Sequence, residues 1–453
     1  MSNVRSYKDP SGHVRLEEGR VIREVSLSYQ ENYDHLMSSG LYDELTKKGM
    51  LVNHKEVDNT IEGIYKTLQP QLIPFISYPW EWCFSQFQDA GLLTLEIQKI
   101  AMQSRMSLKD ANALNVQFVS GSPVFIDTLS FEKYEKGQPW KAYHQFCEQF
   151  IAPLSLMHYI DADLRQLWDN NPDGMDIIRT SEMLPGKSRF RLGVNLHIHL
   201  QARILRSILK GGKIPEDEKL SISSVEKIIE NLAETIKKFK PKFNNSEWWE
   251  YYADVDTDYI DQKAKILKKF LANKKFETIW DIGANDGSLS RIAVGNCVNL
   301  IALDNDHKAV QENYIKAREG KENVLPLVVD ISNPTPAIGW ENREFSSLMA
   351  RGPADMLMAL ALVHHLVIKN NLHLDMIAET FSKMAGSIIV EFVPKDDPQF
   401  VELIKHREDI FEDYNQSTFE TEFGKHFEIT EKQLIEPSGR LLYQMRSKSH
   451  VFV

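Results

Sequence analysis

From residue 276 onward the chain alternates short apolar runs with stretches of helical spacing, and this alternation constrains the fold more than any other feature. The runs "ETIWDIG", "VNLIALD", "NVLPLVVDI", "ADMLMALAL" and "GSIIVEFV" have the length and composition of single strands. Between them lie segments such as "HKAVQENYIKAREG", whose apolar positions recur at helical intervals. A helical crossover returns the chain to the same end of the sheet, so the strands are expected to run parallel with helices on both faces. The tail departs from the pattern: "HFEITEKQLI" and "RLLYQMRS" flank "EPSG" and predict an antiparallel hairpin that closes the sheet. The fold class expected here is α/β.

At 453 residues the chain exceeds one ordinary core. The sharpest composition break is "KGGKIPEDEKLS", Lys210 to Ser221, which predicts a boundary between domains 1–215 and 216–453. After it, Val225, Ile229, Leu232, Ile236 and Phe239 recur at helical spacing as a lead-in to the second domain. The first half reads as α+β, with a hairpin in "GHVRLEEGRVIREV", an apolar helix over 90–106 and a second hairpin in "VQFVSGSPVFIDTLSF". Three scattered cysteines suggest neither a disulfide framework nor a cysteine zinc site, and the polar N-terminus lacks the apolar core of a secretory signal. A cytoplasmic location is expected, without a membrane partner. A formal charge of -11 disfavours a broad phosphate-binding surface, so nucleic acid is not an expected partner. The oligomeric state is not written in the chain.

The loop "DIGANDGS" lies at a strand end, where ligands of open parallel sheets bind. Gly283 and Gly287 permit a tight turn and a close backbone approach. The loop lacks the Gly-Lys-Ser/Thr ending of a phosphate loop, and Asp286 would repel a pyrophosphate. Asp281 and Asp286 suit a ligand bearing an ammonium and a sulfonium instead. Seventeen residues beyond Gly287, Asp304 ends the next strand, placed to accept ribose hydroxyl protons. Asp330 ends the following one, placed to accept from an adenine amine while Ile331 packs on the ring.

With these residues in order, the stretch from about 251 to 446 resembles the class I S-adenosylmethionine-dependent methyltransferases. Asp281, Gly283, Asn285 and Gly287 stand as the glycine-rich first motif, with Asn285 replacing the usual central glycine; asparagine also tolerates a left-handed backbone. The resemblance implies a Rossmann-like, seven-stranded sheet, S-adenosylmethionine as cofactor and in-line methyl transfer. It also implies that the ends of the fourth and fifth strands line the acceptor side. His364, His365 and Glu391 are the polar candidates there, a histidine to take the acceptor's proton and Glu391 to orient it or share the role. Trp248, Trp249, Tyr251 and Tyr252 precede the sheet and are expected to cover its core or lid the cofactor.

A second pattern lies in "LKDANALNVQFVSGSPVFIDTLSFE": Asp110, Asn115 five residues on, and Asp127 twelve further. It resembles the catalytic and metal-binding segment of protein kinase-like and aminoglycoside phosphotransferase-like folds, over roughly residues 15 to 160. In those folds such residues serve as base and magnesium ligands beside ATP. No glycine-rich loop precedes the first hairpin, Thr128 stands where a glycine is usual, and Arg20 or Arg23 stands in for the strand lysine. The whole chain also resembles multi-domain methyltransferases of nodulation-associated and secondary-metabolite loci, which implies a small-molecule or glycan acceptor. The leading expectation is a two-domain methyltransferase whose first domain governs acceptor choice. The alternatives are an ATP- and magnesium-dependent phosphotransferase, a bifunctional protein combining both, and a non-catalytic binding module.

Overall fold

The structure, a computed structural model, describes residues 3–6, 8–17, 19–58, 62–168, 171–212, 220–244, 257–405 and 409–448. The chain divides into two compact units, one of 1–244 with 339–344, the other of 245–338 with 345–453.

In the first unit β1 (Asn3–Ser6), β2 (Gly12–Glu17), β3 (Arg20–Ser26), β4 (His54–Val57) and β5 (Ile64–Pro70) form an antiparallel sheet of order β1-β2-β3-β5-β4. The helices α1 (Gln30–Ser38) and α2 (Leu41–Lys47) lie between β3 and β4 in the chain. The expected apolar helix is α3 (Phe84–Gln103); it stops before Met106, which opens the short strand β6 (Met106–Leu108). The second expected hairpin is present as β7 (Val116–Val119) and β8 (Ser122–Phe125), and β9 (Phe131–Lys133) pairs with β6. Helices α4 (Tyr143–Phe146), α5 (Ala152–Tyr159), α6 (Ile177–Met183), α7 (Leu192–Val194), α8 (Gln201–Leu209) and α9 (Ile222–Lys238) complete the unit. His197 and His199 fall on the wide helical turn Asn195–Leu200, where both are buried and hydrogen-bonded, His197 to Tyr143 and Asn231, His199 to Ser181 and Ser188.

The expected boundary near residue 215 is displaced to the far side of α9. Its apolar positions Val225, Ile229, Leu232 and Ile236 repeat at intervals of four, three and four, forming one buried stripe. The stripe packs toward α3, where Gln88 donates to the carbonyls of Ile236 and Phe239 at 2.8 and 3.4 Å. Each such side chain removed from water contributes about 2 kcal/mol, so α9 completes the core of the first unit rather than leading into the second.

The second unit opens with α10 (Thr257–Leu271) and continues through β10 (Phe276–Ile282), β11 (Cys297–Asp304), α11 (His307–Gly320), β12 (Val324–Val328), β13 (Ala354–Ala359), α12 (Val363–Asn370), α13 (Leu374–Met384), β14 (Ala385–Phe392), α14 (Pro398–Ile404), α15 (Gln416–His426), β15 (Phe427–Ile435) and β16 (Arg440–Ser447). Its sheet has seven strands in the order β12-β11-β10-β13-β14-β16-β15. The pairs among β10 to β14 are parallel, and β16 is antiparallel to β14 and β15. This is the α/β, Rossmann-like, class I methyltransferase sheet that the resemblance implied, hairpin included.

Both faces are buried, which explains why the strands read as continuous apolar runs rather than alternating ones. Ile279, Leu300, Met356 and Ile389 share a core with Leu267 and Phe270 of α10. Trp280, Ile301, Leu357 and Ile388 alternate with them and are buried too. No α-helix follows the loop at Ser288: two single-turn 3-10 segments, Ser290–Ile292 and Val294–Asn296, link β10 to β11. Ser288 accordingly caps no α-helix, and its hydroxyl donates to Asp286 at 2.8 Å.

Candidate functional site

The strand order reverses between β11, β10 and β13, and a cleft lies at the carboxyl ends of these strands. Gly283, Asn285, Asp304, Asp330, Ile331 and His365 line it. Gly283 (φ 74°) and Asn285 (φ 49°) both take the left-handed backbone, so the substitution of asparagine for glycine is met by the conformation asparagine tolerates best. A Cβ on Gly283 would come within 3.2 Å of Leu362, which holds the loop against the segment after β13.

Asp304 is the hinge of the site. Its Oδ2 accepts the backbone N–H of Asn285 at 2.7 Å and its Oδ1 that of Asp306 at 2.9 Å. Burial pushes its carboxyl up to about 6, against the lowering effect of those N–H groups. Each oxygen keeps a lone-pair direction for a further donor. Asp330 stands exposed at the rim, its Oδ1 bonded to the N–H and hydroxyl of Ser332 at 2.8 and 2.7 Å.

The other first-motif residues act from outside the cleft. Asp281 lies beneath the loop, 1% exposed, with the Ser290 hydroxyl on Oδ2 at 2.5 Å. Burial pushes it up to about 7. Asp286, expected to face a cationic ligand, turns away and pairs with Lys316 at 2.6 Å; its helical neighbour rather than a ligand satisfies its charge. Gly287 (φ 73°) is required by packing, since a Cβ there would sit 2.3 Å from the Asn313 side chain.

On the acceptor side the two histidines sit on the first turn of α12 and have different surroundings. His365 lines the cleft; burial, with Lys369 and Arg440 adding, lowers it to about 3, so it is neutral at physiological pH. His364 is fully buried behind it, and burial holds it well below its ordinary value. Glu391 is also fully buried and is not a free base: Oε1 accepts from Tyr259 at 2.6 Å and Oε2 lies 2.5 Å from Lys263. Burial pushes its carboxyl up, but Lys263 and Arg440 outweigh that and hold it below its ordinary value. Arg440 in turn grips Asp397 through two nitrogens at 2.7 and 2.9 Å.

Sequence reasoning passed over Lys263, Tyr259, Arg440 and Asp397. One signal was available: Lys263 occupies the apolar stripe of α10 that includes Tyr259, Leu267 and Phe270, where an unpartnered lysine would be expelled. Ala361, in the left-handed region at φ 51°, and Asn370 also line the cleft and carried no sequence signal. Trp248, Trp249, Tyr251 and Tyr252 lie outside the described residues.

In the first unit Asp110, Asn115 and Asp127 are brought into one network. The Asn115 amide donates to Asp110 at 3.1 Å and to Ser130 at 3.2 Å, and Ser130 donates to Asp127 at 2.6 Å. Arg23 forms an ion pair with Asp127, and Gln145 donates to Asp110 at 2.7 Å. A magnesium ion does not fit this arrangement as it stands, because a guanidinium already neutralises Asp127. Among the described residues no group of three or more His, Cys, Asp or Glu is arranged to hold a metal.

No protein-family model matches the sequence. The nodulation protein NoeA of Rhizobium meliloti (strain 1021) is 30% identical over 451 residues, covering 97% of this chain and 94% of its own. The chain belongs to the NoeA family. Among solved structures, the N-methyltransferase NodS of Bradyrhizobium japonicum WM9 with S-adenosyl-L-homocysteine is 14% identical, over 46% of this chain and 94% of its own, at a TM-score of 0.34. The magnesium protoporphyrin IX methyltransferase ChlM of Synechocystis PCC 6803 with bound SAM is 19% identical, over 44% of this chain and 89% of its own, at a TM-score of 0.32. Among the described residues no helix is long and apolar enough to cross a membrane.

Proposed function

We propose that this NoeA-family chain is a cytoplasmic enzyme that transfers a methyl group from S-adenosylmethionine to a small-molecule or glycan acceptor connected with nodulation, as the relative's name suggests. One observation carries the reading: Asp304 joins the glycine loop to the second strand end inside a cleft whose third strand end presents Asp330 and Ile331. The residues fit the cofactor: a left-handed loop in which Gly283 allows close approach, a buried carboxylate for ribose hydroxyls, and a rim carboxylate for an amine. When bound, the cofactor supplies an electrophilic methyl on a cationic sulfur. Asp304 orients the ribose, Asp281 braces the turn after the loop through the Ser290 hydroxyl, and Ile331 packs on the base. His365, neutral and facing the cleft, orients the acceptor by hydrogen bonding, its lowered value making it a weak base toward the acceptor's proton. Titration calorimetry with S-adenosylmethionine and S-adenosylhomocysteine tests this; no binding of either sinks the reading.

A second reading concerns the first unit and is favoured by the network joining Asp110, Asn115, Ser130 and Asp127. The order of antiparallel sheet, helix, Asp110 to Asn115 loop, hairpin and Asp127 supports a kinase-like domain. With Arg23 on Asp127, the form we favour is a domain that binds the acceptor or a partner. ATP binding abolished by Asp127→Ala would instead support a phosphotransferase.

A further inference from the structure

We propose that the segment running from Lys187 through α7, the wide turn Asn195–Leu200 and α8 is a docking surface for an anionic lipid bilayer. The proposal goes beyond the cofactor reading and stands apart from it.

The charge pattern comes first. The chain has a formal charge of -11, yet between Met183 and Gly212 it contains no Asp or Glu and six cations, Lys187, Arg189, Arg191, Arg203, Arg206 and Lys210. Arg206 pairs with Glu182 of α6 at 2.8 Å, and Arg191 also reaches Tyr159. Lys187, Arg189, Arg191, Arg203 and Lys210 are exposed. An acidic chain is repelled by an anionic surface except where cations are concentrated, so this segment would set the orientation of approach.

The apolar side chains of the same segment point to what it meets. Phe190 is 90% exposed and Leu192 is 73% exposed. Leu192, Leu196, Leu200 and Ile204 follow at intervals of four. In a regular α-helix each such step advances about 40° around the axis, and the stripe would drift toward the core. The wide turn holds more residues per turn and takes up part of that advance, so Leu200 and Ile204 are still 38% and 39% exposed. Val194, Ile198 and Ala202 form the buried side of the same run.

Scattered exposed hydrophobic residues are ordinary. A phenylalanine and a leucine stripe interleaved with cations are the composition of a segment that lies in the plane of a membrane interface, inserting its apolar side chains while the cations meet lipid phosphates. Side chains that protrude suit a deformable surface, and aliphatic ones give nucleobases nothing to stack on. The expected absence of a membrane partner is thereby reversed: it follows from the overall charge, whereas an interfacial surface depends on local charge and needs no spanning helix.

The test is co-sedimentation of the full chain with phosphatidylcholine vesicles, with and without phosphatidylglycerol. The chain should bind the anionic vesicles and not the neutral ones, and added salt should weaken the binding. Lys187→Gln/Arg189→Gln/Arg203→Gln should weaken it by about a hundredfold, at about fivefold for each cation. Phe190→Ser/Leu192→Ser should weaken it by at least about tenfold, whereas Ile410→Ser, an exposed apolar residue of the second unit, should leave it unchanged. Absence of binding to anionic vesicles at low salt overturns the proposal, as does binding that survives both sets of substitutions. Self-association in ultracentrifugation that Phe190→Ser/Leu192→Ser abolishes, or capture by polyglutamate or DNA, without vesicle binding, would make the face one for a second copy, an acidic protein or a nucleic acid and would overturn it equally.

Discussion

The Oδ2 of Asp304 accepts the backbone N–H of Asn285 at 2.7 Å, so the end of the second strand fixes the turn that follows the first. This bond couples loop shape to the residue that would hold the ribose. Asp304→Ala should weaken S-adenosylmethionine by about 2 kcal/mol through loss of a charge-assisted contact, measured by calorimetry. Asp286→Ala is the control: its carboxylate pairs with Lys316 and not with the cleft, so affinity should change by less than about threefold, on the scale of an exposed ion pair.

Glu391 should prove structural before it proves catalytic. It is fully buried between Tyr259, Lys263 and Arg440. Glu391→Ala leaves buried cations short of an anion and should destabilise the second unit by about 3 to 5 kcal/mol. Urea denaturation followed by Trp280 fluorescence reports it; a variant that is inactive yet as stable as wild type would return Glu391 to the role of base.

Asp281 and Asp304 should contribute less to the stability of the cofactor-free chain as pH rises from about 4 to 7, while the buried histidines His54, His197 and His365, lowered on folding, contribute more over the same window. Asp281 and Asp304 are pushed by burial up to about 7 and about 6, above the roughly 3.9 of an unfolded aspartate. A carboxyl raised on folding holds its proton more tightly in the native state. Its contribution is therefore complete below about pH 4 and lost as pH climbs through the folded value. The melting temperature of Asp281→Asn, which does not titrate, should therefore rise relative to wild type as pH increases across this window; a constant difference between the two curves would contradict the assigned environment.

The place of α9 can be tested separately. Leu232 is fully buried in the first unit, so Leu232→Ala should destabilise that unit by about 2 to 5 kcal/mol. S-adenosylmethionine affinity should remain within about twofold of wild type. A fragment ending at residue 215 should melt lower than one ending at 244, in circular dichroism.

The seven-stranded sheet was legible because strand length, apolar content and the gaps between strands are local properties, and parallel order follows from helical crossovers. So was the left-handed turn at Asn285, since a residue's tolerance of positive φ belongs to that residue. The short helix α12 was harder to see, because "VHHLVIK" carries no cap signal and its burial does the work. The direction in which a side chain points is a different matter. Asp281, Asp286 and Glu391 look alike in sequence as acidic groups near strand ends. Only packing decides that Asp281 takes the Ser290 hydroxyl, that Asp286 faces Lys316, and that Glu391 joins Lys263 and Arg440 across elements far apart in the chain. The same holds for Arg23, whose partner Asp127 lies more than a hundred residues away. The sequence by itself determined which segments are strands and helices and which loop approaches a ligand, because those depend on neighbours in the chain. The tertiary structure alone decided which carboxylates stay charged and available, because that depends on which cations long-range packing brings within a few ångströms.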